Sequence, residues 1–213
     1  MSADNTRDNW DADYSRKGCL FGGAPHRLPP LPAGSRVLEA GCGNGKSLSA
    51  MVHRDWIVTA IDFSPKATLL AREIARVGSG SDIAVADART IPFHDRSFDG
   101  VAAFHIMAHG MTADRQQAAR ELCRVLRPGG HLWFCDFSTG DFRNGTGRVL
   151  EPGTFVRGNG ILTHYFTEDE VTGLFSGLIP VSLHQDNWTL RVRGKDHLRA
   201  EISAVFQKPF PAP

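Results

Sequence analysis

The residues best suited to chemistry stand together in Val37-Leu38-Glu39-Ala40-Gly41-Cys42-Gly43-Asn44-Gly45-Lys46, where a short apolar run ends in an acid and breaks into three alternating glycines. Glycine has no Cβ, so it takes positive φ and lets a ligand lie against the backbone. The pattern predicts a strand turning tightly into a helix around a nucleotide-like ligand. Asp62 follows 23 positions after Glu39 and closes the next apolar run. That is close to the roughly 20 residues at which a carboxylate receives both hydroxyls of a ribose, a task for a group that accepts two hydrogen bonds at once. Asp87 ends a third run in Val85-Ala86-Asp87-Ala88, where its side chain is placed to accept from the exocyclic amine of an adenine. His105, His109 and His164 are candidate bases, because an unperturbed imidazole titrates near pH 6.5. His105 leads by its place just beyond the fourth apolar run.

The elements that must position these groups alternate along the chain. Arg36–Glu39, Trp56–Ile61, Ile83–Ala86, Phe98–Phe104 and His131–Cys135 read as strands, with helices over 45–53, 64–77 and 113–126 between them. Ser64 is the expected N-cap of the second of these helices, with Pro65 at its first position. Arg127-Pro128-Gly129-Gly130 is the turn that stops the third. Strands separated by helices predict an α/β fold, a doubly wound and mostly parallel sheet with helices on both faces. Residues 138–166 hold many glycines and little periodicity, and are expected to form an irregular excursion on the substrate side. Thr167 and Glu170 have capping-box spacing for a short helix reaching Phe175. Two strands, 181–193 and 197–207, joined across Gly194-Lys195-Asp196, complete a seven-stranded sheet as a C-terminal antiparallel hairpin. The expected organisation is one domain over 1–213: a leader or lid (1–35), a cofactor-binding core (36–137), the excursion (138–166), and the helix with its hairpin (167–208). Residues 1 to about 8 read as disordered, and the proline-rich 209–213 as a tail that cannot continue a central strand.

Composition narrows the partners. Lys plus Arg number 24 and Asp plus Glu 23, a net charge of +1, so no global field gathers polyanions and nucleic acid is disfavoured as a partner. The four cysteines are far apart, without a Cys/His cluster at zinc spacing, so no metal is expected and free thiols in a reducing cytoplasm are the plain reading. The polar start and the lack of a long apolar run argue against secretion or a membrane span.

Val37–Gly45, Ala60-Ile61-Asp62-Phe63-Ser64, Ala86-Asp87-Ala88 with Ile91-Pro92-Phe93, Ser97-Phe98-Asp99 and Leu126-Arg127-Pro128-Gly129-Gly130 run in an order that resembles the class I S-adenosylmethionine-dependent methyltransferases of the type 11 group. The resemblance implies a Rossmann-like fold, S-adenosyl-L-methionine as cofactor, and methyl transfer. It puts the turn of Glu39, Gly41, Cys42 and Gly43 at the methionine moiety, Asp62 at the ribose, Phe63 beside the adenine, and Asp87 and Ala88 at its polar edge. Phe104 and His105 then face the sulfonium. Glu39 departs from the commoner Asp at its position, and its longer carboxylate is expected to reach the ligand through water. The leader, with Trp10 and Tyr14 and continuing to Phe21-Gly22-Gly23, resembles that of tellurite-resistance and thiopurine methyltransferases, where aromatics close over cofactor and substrate. Tyr14, His109, His164 and Tyr165 are the expected substrate-side residues.

A phosphate-binding P-loop fails at Ala40, where its first glycine belongs, and a nicotinamide-binding turn fails at Lys46. A small-molecule acceptor is the leading expectation, since no recognition module is evident. Two alternatives stand beside it. Gly41–Lys46 and Gln185-Asp186-Asn187-Trp188 resemble wobble-uridine tRNA methyltransferases, and Arg191, Arg193, Lys195 and Arg199 supply a basic strip. The other is a catalytically inactive adenosylmethionine-binding module.

Overall fold

The computed structural model describes residues 3–18, 28–76 and 81–211. Its main sheet has seven strands: β1 (Arg36–Ala40), β2 (Ile57–Asp62), β3 (Ser81–Val85), β4 (Phe98–Phe104), β5 (Leu126–Phe137), β9 (Ile179–Val192) and β10 (Lys195–Gln207), in the order β3-β2-β1-β4-β5-β10-β9. β10 is antiparallel to both neighbours, so it alone runs against the rest of the sheet. The helices are α1 (Ala3–Lys17), α2 (Leu48–Met51), α3 (Pro65–Ala75), α4 (Thr112–Val125) and α5 (Glu168–Leu174).

Period-two sorting of side chains builds the core. On one face Leu38, Ile61, Val101, Leu132 and Phe134 pack with Leu122, Val125 and Phe175; on the other Val37, Val58, Ala102, Trp133 and Cys135 pack with Leu48, Met51 and Ala71. Strands buried on both faces read as continuous apolar runs, which is why β1 and β4 stand out in the sequence. The Ser64 hydroxyl caps α3 by accepting from the Ala67 amide, and the Thr167–Glu170 box caps α5.

Several family segments turn out to be structural. Asp99 accepts from the Arg36 amide at 2.8 Å and pairs with Arg127 at 2.7 Å, tying the starts of β1, β4 and β5 together. The Arg124 guanidinium donates to the Ile91 and Phe93 carbonyls, and the Glu121 carboxylate accepts from the Ile91 amide, latching the Ile91-Pro92-Phe93 loop to α4.

Four expectations need correction. Residues before Asp8 are helical from Ala3, because α1 is fastened from outside: the Asp11 carboxylate receives the Ser64 hydroxyl, and the Asn9 amide donates to the Gly160 carbonyl at 3.1 Å. The excursion 138–166 is not irregular throughout. It holds a second sheet, β6 (Arg148–Glu151), β7 (Thr154–Val156) and β8 (Leu162–His164), whose strands of three or four residues are too short to show alternation. The Arg127–Gly130 turn is absorbed into β5 as an irregularity, since the Gly129 amide donates to the Lys208 carbonyl and the Lys208 amide to that of Gly130. Finally, the β9–β10 turn has two residues, Arg193 and Gly194, both at positive φ (49° and 79°), as a tight hairpin requires. Phe21-Gly22-Gly23 and the expected end of α3 at Val77 lie outside the described residues.

Candidate functional site

The parallel strands β1, β2, β3, β4 and β5 all end on one edge, and β1 and β4 lie side by side although their connections leave in opposite directions. Open α/β sheets bind ligands at such a switch point. A cavity of about 330 Å³ opens there, lined by the turn after β1 (Gly41), the end of β2 (Asp62, Phe63), the turn after β3 (Asp87, Ala88), the residue after β4 (His105), and Trp10, Tyr14 and His109.

The floor is a cluster of buried acids. Asp62 accepts from the Gly43 amide with one oxygen and the Ser64 amide with the other, each at 2.9 Å, so one carboxylate fixes both the glycine turn and the entry to α3. Glu39, close to Asp62 and buried, receives the Leu48 amide, and its Oε2 has no hydrogen-bond partner among the described residues. Burial, then the proximity of Asp62, pushes the Glu39 carboxyl up to about 8; burial pushes Asp62 up to about 6 against the opposing pull of its two amides. Gly41 and Gly43 have φ of 73° and 54°. A Cβ on Gly43 would stand 2.7 Å from the Tyr14 hydroxyl, and one on Gly41 2.8 Å from Ile106, so both glycines are demanded by close approach as well as by φ.

The roof is α1. Trp10 packs at 5.6 Å from Tyr14, one helical turn on, and edge-on at 4.7 Å to His109. His109 donates from Nδ1 to the Leu162 carbonyl at 2.7 Å, and desolvation holds its pKa below the ordinary value. It is therefore a neutral wall joining the turn Met107–His109 to β8 and to Trp10 of α1.

On the far side Asp87 is clamped by Arg89, Nη2 to Oδ2 at 2.6 Å, and Arg89 reaches on to Asp114 at 2.8 Å. Burial alone would raise the Asp87 carboxyl, but Arg89 holds it below its usual range. Neither Arg89 nor Asp114 was foreseen, although an arginine two residues after a strand-ending acid is a readable pairing signal. Asp136 was missed as well. It is the fourth acid at a strand end, fully buried, accepting from the Ala108 and Phe137 amides.

Other expected residues fall elsewhere. Glu39, Cys42, Gly43 and Phe104 do not line the cavity: Cys42 and Phe104 are packed in the core with Leu48 and Met51, and Glu39 and Gly43 act through Asp62, their neighbour. His164 is buried beneath α5, bonded to the Thr154 hydroxyl at 2.7 Å with Glu170 at 3.3 Å, and the structure does not bring it to the cavity. Tyr165 is likewise buried among Phe137 and Phe155. The sequence marked both by their place at the end of the excursion, and the folding of that excursion into a sheet turned them inward.

Residues 38–134 match the family model described as a methyltransferase domain. The chain is 41% identical over 112 residues to 27-O-demethylrifamycin SV methyltransferase of Amycolatopsis mediterranei, covering 51% of this chain and 40% of that protein. It is 29% identical over 205 residues to a tRNA N(3)-methylcytidine methyltransferase of Drosophila melanogaster, covering 86% of this chain and 63% of that one. The chain thus spans less than two thirds of the length of either relative. A SAM-dependent methyltransferase from Methanosarcina mazei superposes with a TM-score of 0.71 at 23% identity over 86% of this chain and 99% of that one, a likeness of fold.

Proposed function

We propose that this protein, whose residues 38–134 match the methyltransferase-domain family model and whose fold is similar to that of a SAM-dependent methyltransferase, transfers the methyl group of S-adenosylmethionine to a small nucleophilic acceptor. The observation that carries this reading is the roofed cavity at the switch point, with acids below and the Trp10–Tyr14–His109 cluster above. The residues fit the cofactor. Glu39, next to Asp62, keeps a buried oxygen with no hydrogen-bond partner among the described residues, a group that a cation's donors satisfy, and Asp62 retains lone pairs for two ribose hydroxyls. Phe63 flanks the adenine, Asp87 with Ala88 meets its polar edge while Arg89 fixes the carboxylate plane, and Gly41 admits the methionine moiety.

S-adenosylmethionine, when bound, supplies a methyl group already activated by positive sulfur. The protein's residues have three remaining tasks. Trp10 and Tyr14 exclude water, and the turn and Asp62 hold the donor in line with the acceptor. His105, at the end of β4, lies beside the acceptor's approach, with Glu201 3.5 Å from its Nε2 to stabilise an imidazolium where the acceptor must lose a proton. Incubating the purified protein with labelled S-adenosylmethionine and candidate acceptors tests the reading. Adenosylmethionine binding without release of adenosylhomocysteine for any acceptor marks an inactive binding module, and tight ATP or NAD binding in its place overturns the proposal.

The pH dependence of binding follows from the buried acids. Their carboxyls are raised in the ligand-free fold, so the folded protein holds protons that the unfolded chain gives up, and ligand-free stability falls as pH rises from the ordinary carboxyl range towards about 8. Bound cationic groups and hydroxyl donors favour the ionised carboxylates. Cofactor affinity should therefore rise between about pH 6 and 8 with release of protons. Calorimetry in buffers of differing ionisation enthalpy measures this, and an affinity flat across that range removes Glu39 and Asp62 from the site.

One observation favours a second reading, an RNA acceptor: the likeness to the tRNA methyltransferase extends over most of this chain. Arg193 and Lys195 are exposed at the hairpin tip, but Arg191 pairs with Asp196 at 3.2 Å and Arg199 is bound to Asp141 at 2.6 Å, which thins the basic strip. Binding of tRNA whose affinity falls steeply with salt concentration would promote this reading.

A further inference from the structure

Three strands deliver a nitrogen, a sulfur and a carboxylate to one point beside the cavity. Among the described residues, ligand atoms of His105 (after β4), Cys135 (β5) and Glu201 (β10) lie within 4.8 Å of one another. His105 Nε2 is 3.5 Å from Glu201 Oε1, and Cys135 Sγ is 3.5 Å from Glu201 Oε2. A tetrahedral ion with bonds of about 2.3 Å to sulfur and about 2.0–2.1 Å to nitrogen and oxygen separates its ligand atoms by roughly 3.3–3.6 Å, which the imidazole and the thiol each match against the nearer oxygen of the carboxylate between them, while the three-atom set spans up to 4.8 Å and closes on an ion by small side-chain rotations. From these spacings the geometry points to a three-residue site for a divalent transition-metal ion of the zinc type, held by His105, Cys135 and Glu201.

Supporting structure is in place around each ligand. Asp136, fully buried, stands 3.8 Å from His105 Nδ1, too far for a hydrogen bond but close enough to place negative charge beside the ring. Its own two oxygens are fixed by the Ala108 and Phe137 amides. His105 is held at φ 54°, in the left-handed region that strains a non-glycine residue. Its amide donates to the Cys135 carbonyl at 2.8 Å and its ring lies 4.8 Å from that of Phe137. The backbone strain thus aims the ring, and the same two residues that would bind the ion are joined through the main chain. Arg199, the cation next to Glu201, is 3.9 Å away and already committed to Asp141 at 2.6 Å. Thiolate, imidazole and one carboxylate form a donor set suited to zinc, cobalt or nickel rather than magnesium or calcium. Three protein ligands leave a fourth position open, and since His105 also lines the cavity, an ion held there adjoins the acceptor's approach.

Full-length protein stripped with a chelator and titrated with Co2+ tests the site directly. One equivalent should produce a thiolate-to-cobalt charge-transfer band and the intense visible absorption of tetrahedral cobalt, both displaced by one equivalent of Zn2+. Cys135→Ser should abolish the charge-transfer band, and Glu201→Gln should weaken Zn2+ at least 10-fold. Glu201 is partly exposed, so its variant remains informative if the buried cysteine variant does not fold. A wild-type protein with no thiolate band at stoichiometric cobalt, or Zn2+ affinity equal in wild type and Glu201→Gln, overturns the site. Adenosylmethionine binding measured on the stripped protein reports separately on the methyl-transfer reading.

Discussion

Asp62→Ala should weaken S-adenosylmethionine binding by roughly 100-fold while the protein stays folded. In the cofactor-bound reading this carboxylate accepts two hydroxyls, and hydrogen bonds to charged groups are each worth about 1.5–3 kcal/mol, so losing the pair costs about 3 kcal/mol, or roughly two decades of affinity. Stability moves far less because two effects oppose. The substitution deprives the Gly43 and Ser64 amides of their acceptor, but it also removes a carboxylate whose ionised form is penalised by burial, as its pKa of about 6 records. Asp62→Asn separates the two contributions. Its single carbonyl oxygen serves one amide and its NH2 group opposes the other, so the turn loosens while the site keeps its volume. Calorimetric titration with adenosylmethionine alongside thermal unfolding makes the measurement, and unchanged affinity in Asp62→Ala refutes the ribose assignment.

The floor of this site was legible because its residues are close in sequence to the elements that place them. Glu39, Asp62 and Asp87 each end an apolar run, and a parallel sheet brings consecutive strand ends to one edge, so linear position converts directly into spatial position. The same logic placed Ser64 as a cap and Thr167 with Glu170 as a capping box, since those signals are complete within four residues. β4 was bounded correctly because it is buried on both faces and reads as one apolar block.

What stayed hidden depends on pairings between distant segments. His105, Cys135 and Glu201 are separated by 30 and 66 positions, and only the insertion of β10 between β5 and β9 makes them neighbours. No spacing rule for metal ligands covers such intervals, which is why the sequence suggested no metal. The misplacement of His164 and Tyr165 has the same origin. A glycine-rich stretch carries no facing information until β6, β7 and β8 pair, and the pairing of Thr154 with His164 is what turns that imidazole towards Thr154 and Glu170.

Asp136→Ala should cost about 3 kcal/mol of stability, roughly 6–12 °C in Tm for a chain of this size. Its carboxylate is wholly buried and spans two segments: Oδ2 receives the Ala108 amide at 2.8 Å from the turn after β4, and Oδ1 the Phe137 amide at 3.0 Å at the end of β5. Truncation leaves the buried Ala108 N–H without its acceptor, at the full desolvation penalty of that group rather than the smaller net worth of a hydrogen bond. Asp136→Asn keeps one acceptor but turns an NH2 towards the other amide, so it should fall between wild type and Asp136→Ala. The consequence for function comes through position. The turn Met107–His109 carries His109, whose ring meets Trp10 and whose Nδ1 holds Leu162, and His105 lies 3.8 Å from the same carboxylate. Loss of Asp136 therefore loosens the roof and the acceptor side together while leaving Asp62 and its amides untouched. Turnover should fall more than adenosylmethionine affinity does. Unfolding curves and calorimetry on the three proteins separate these effects, and a Tm unchanged in Asp136→Ala rules out the bridging role of the carboxylate.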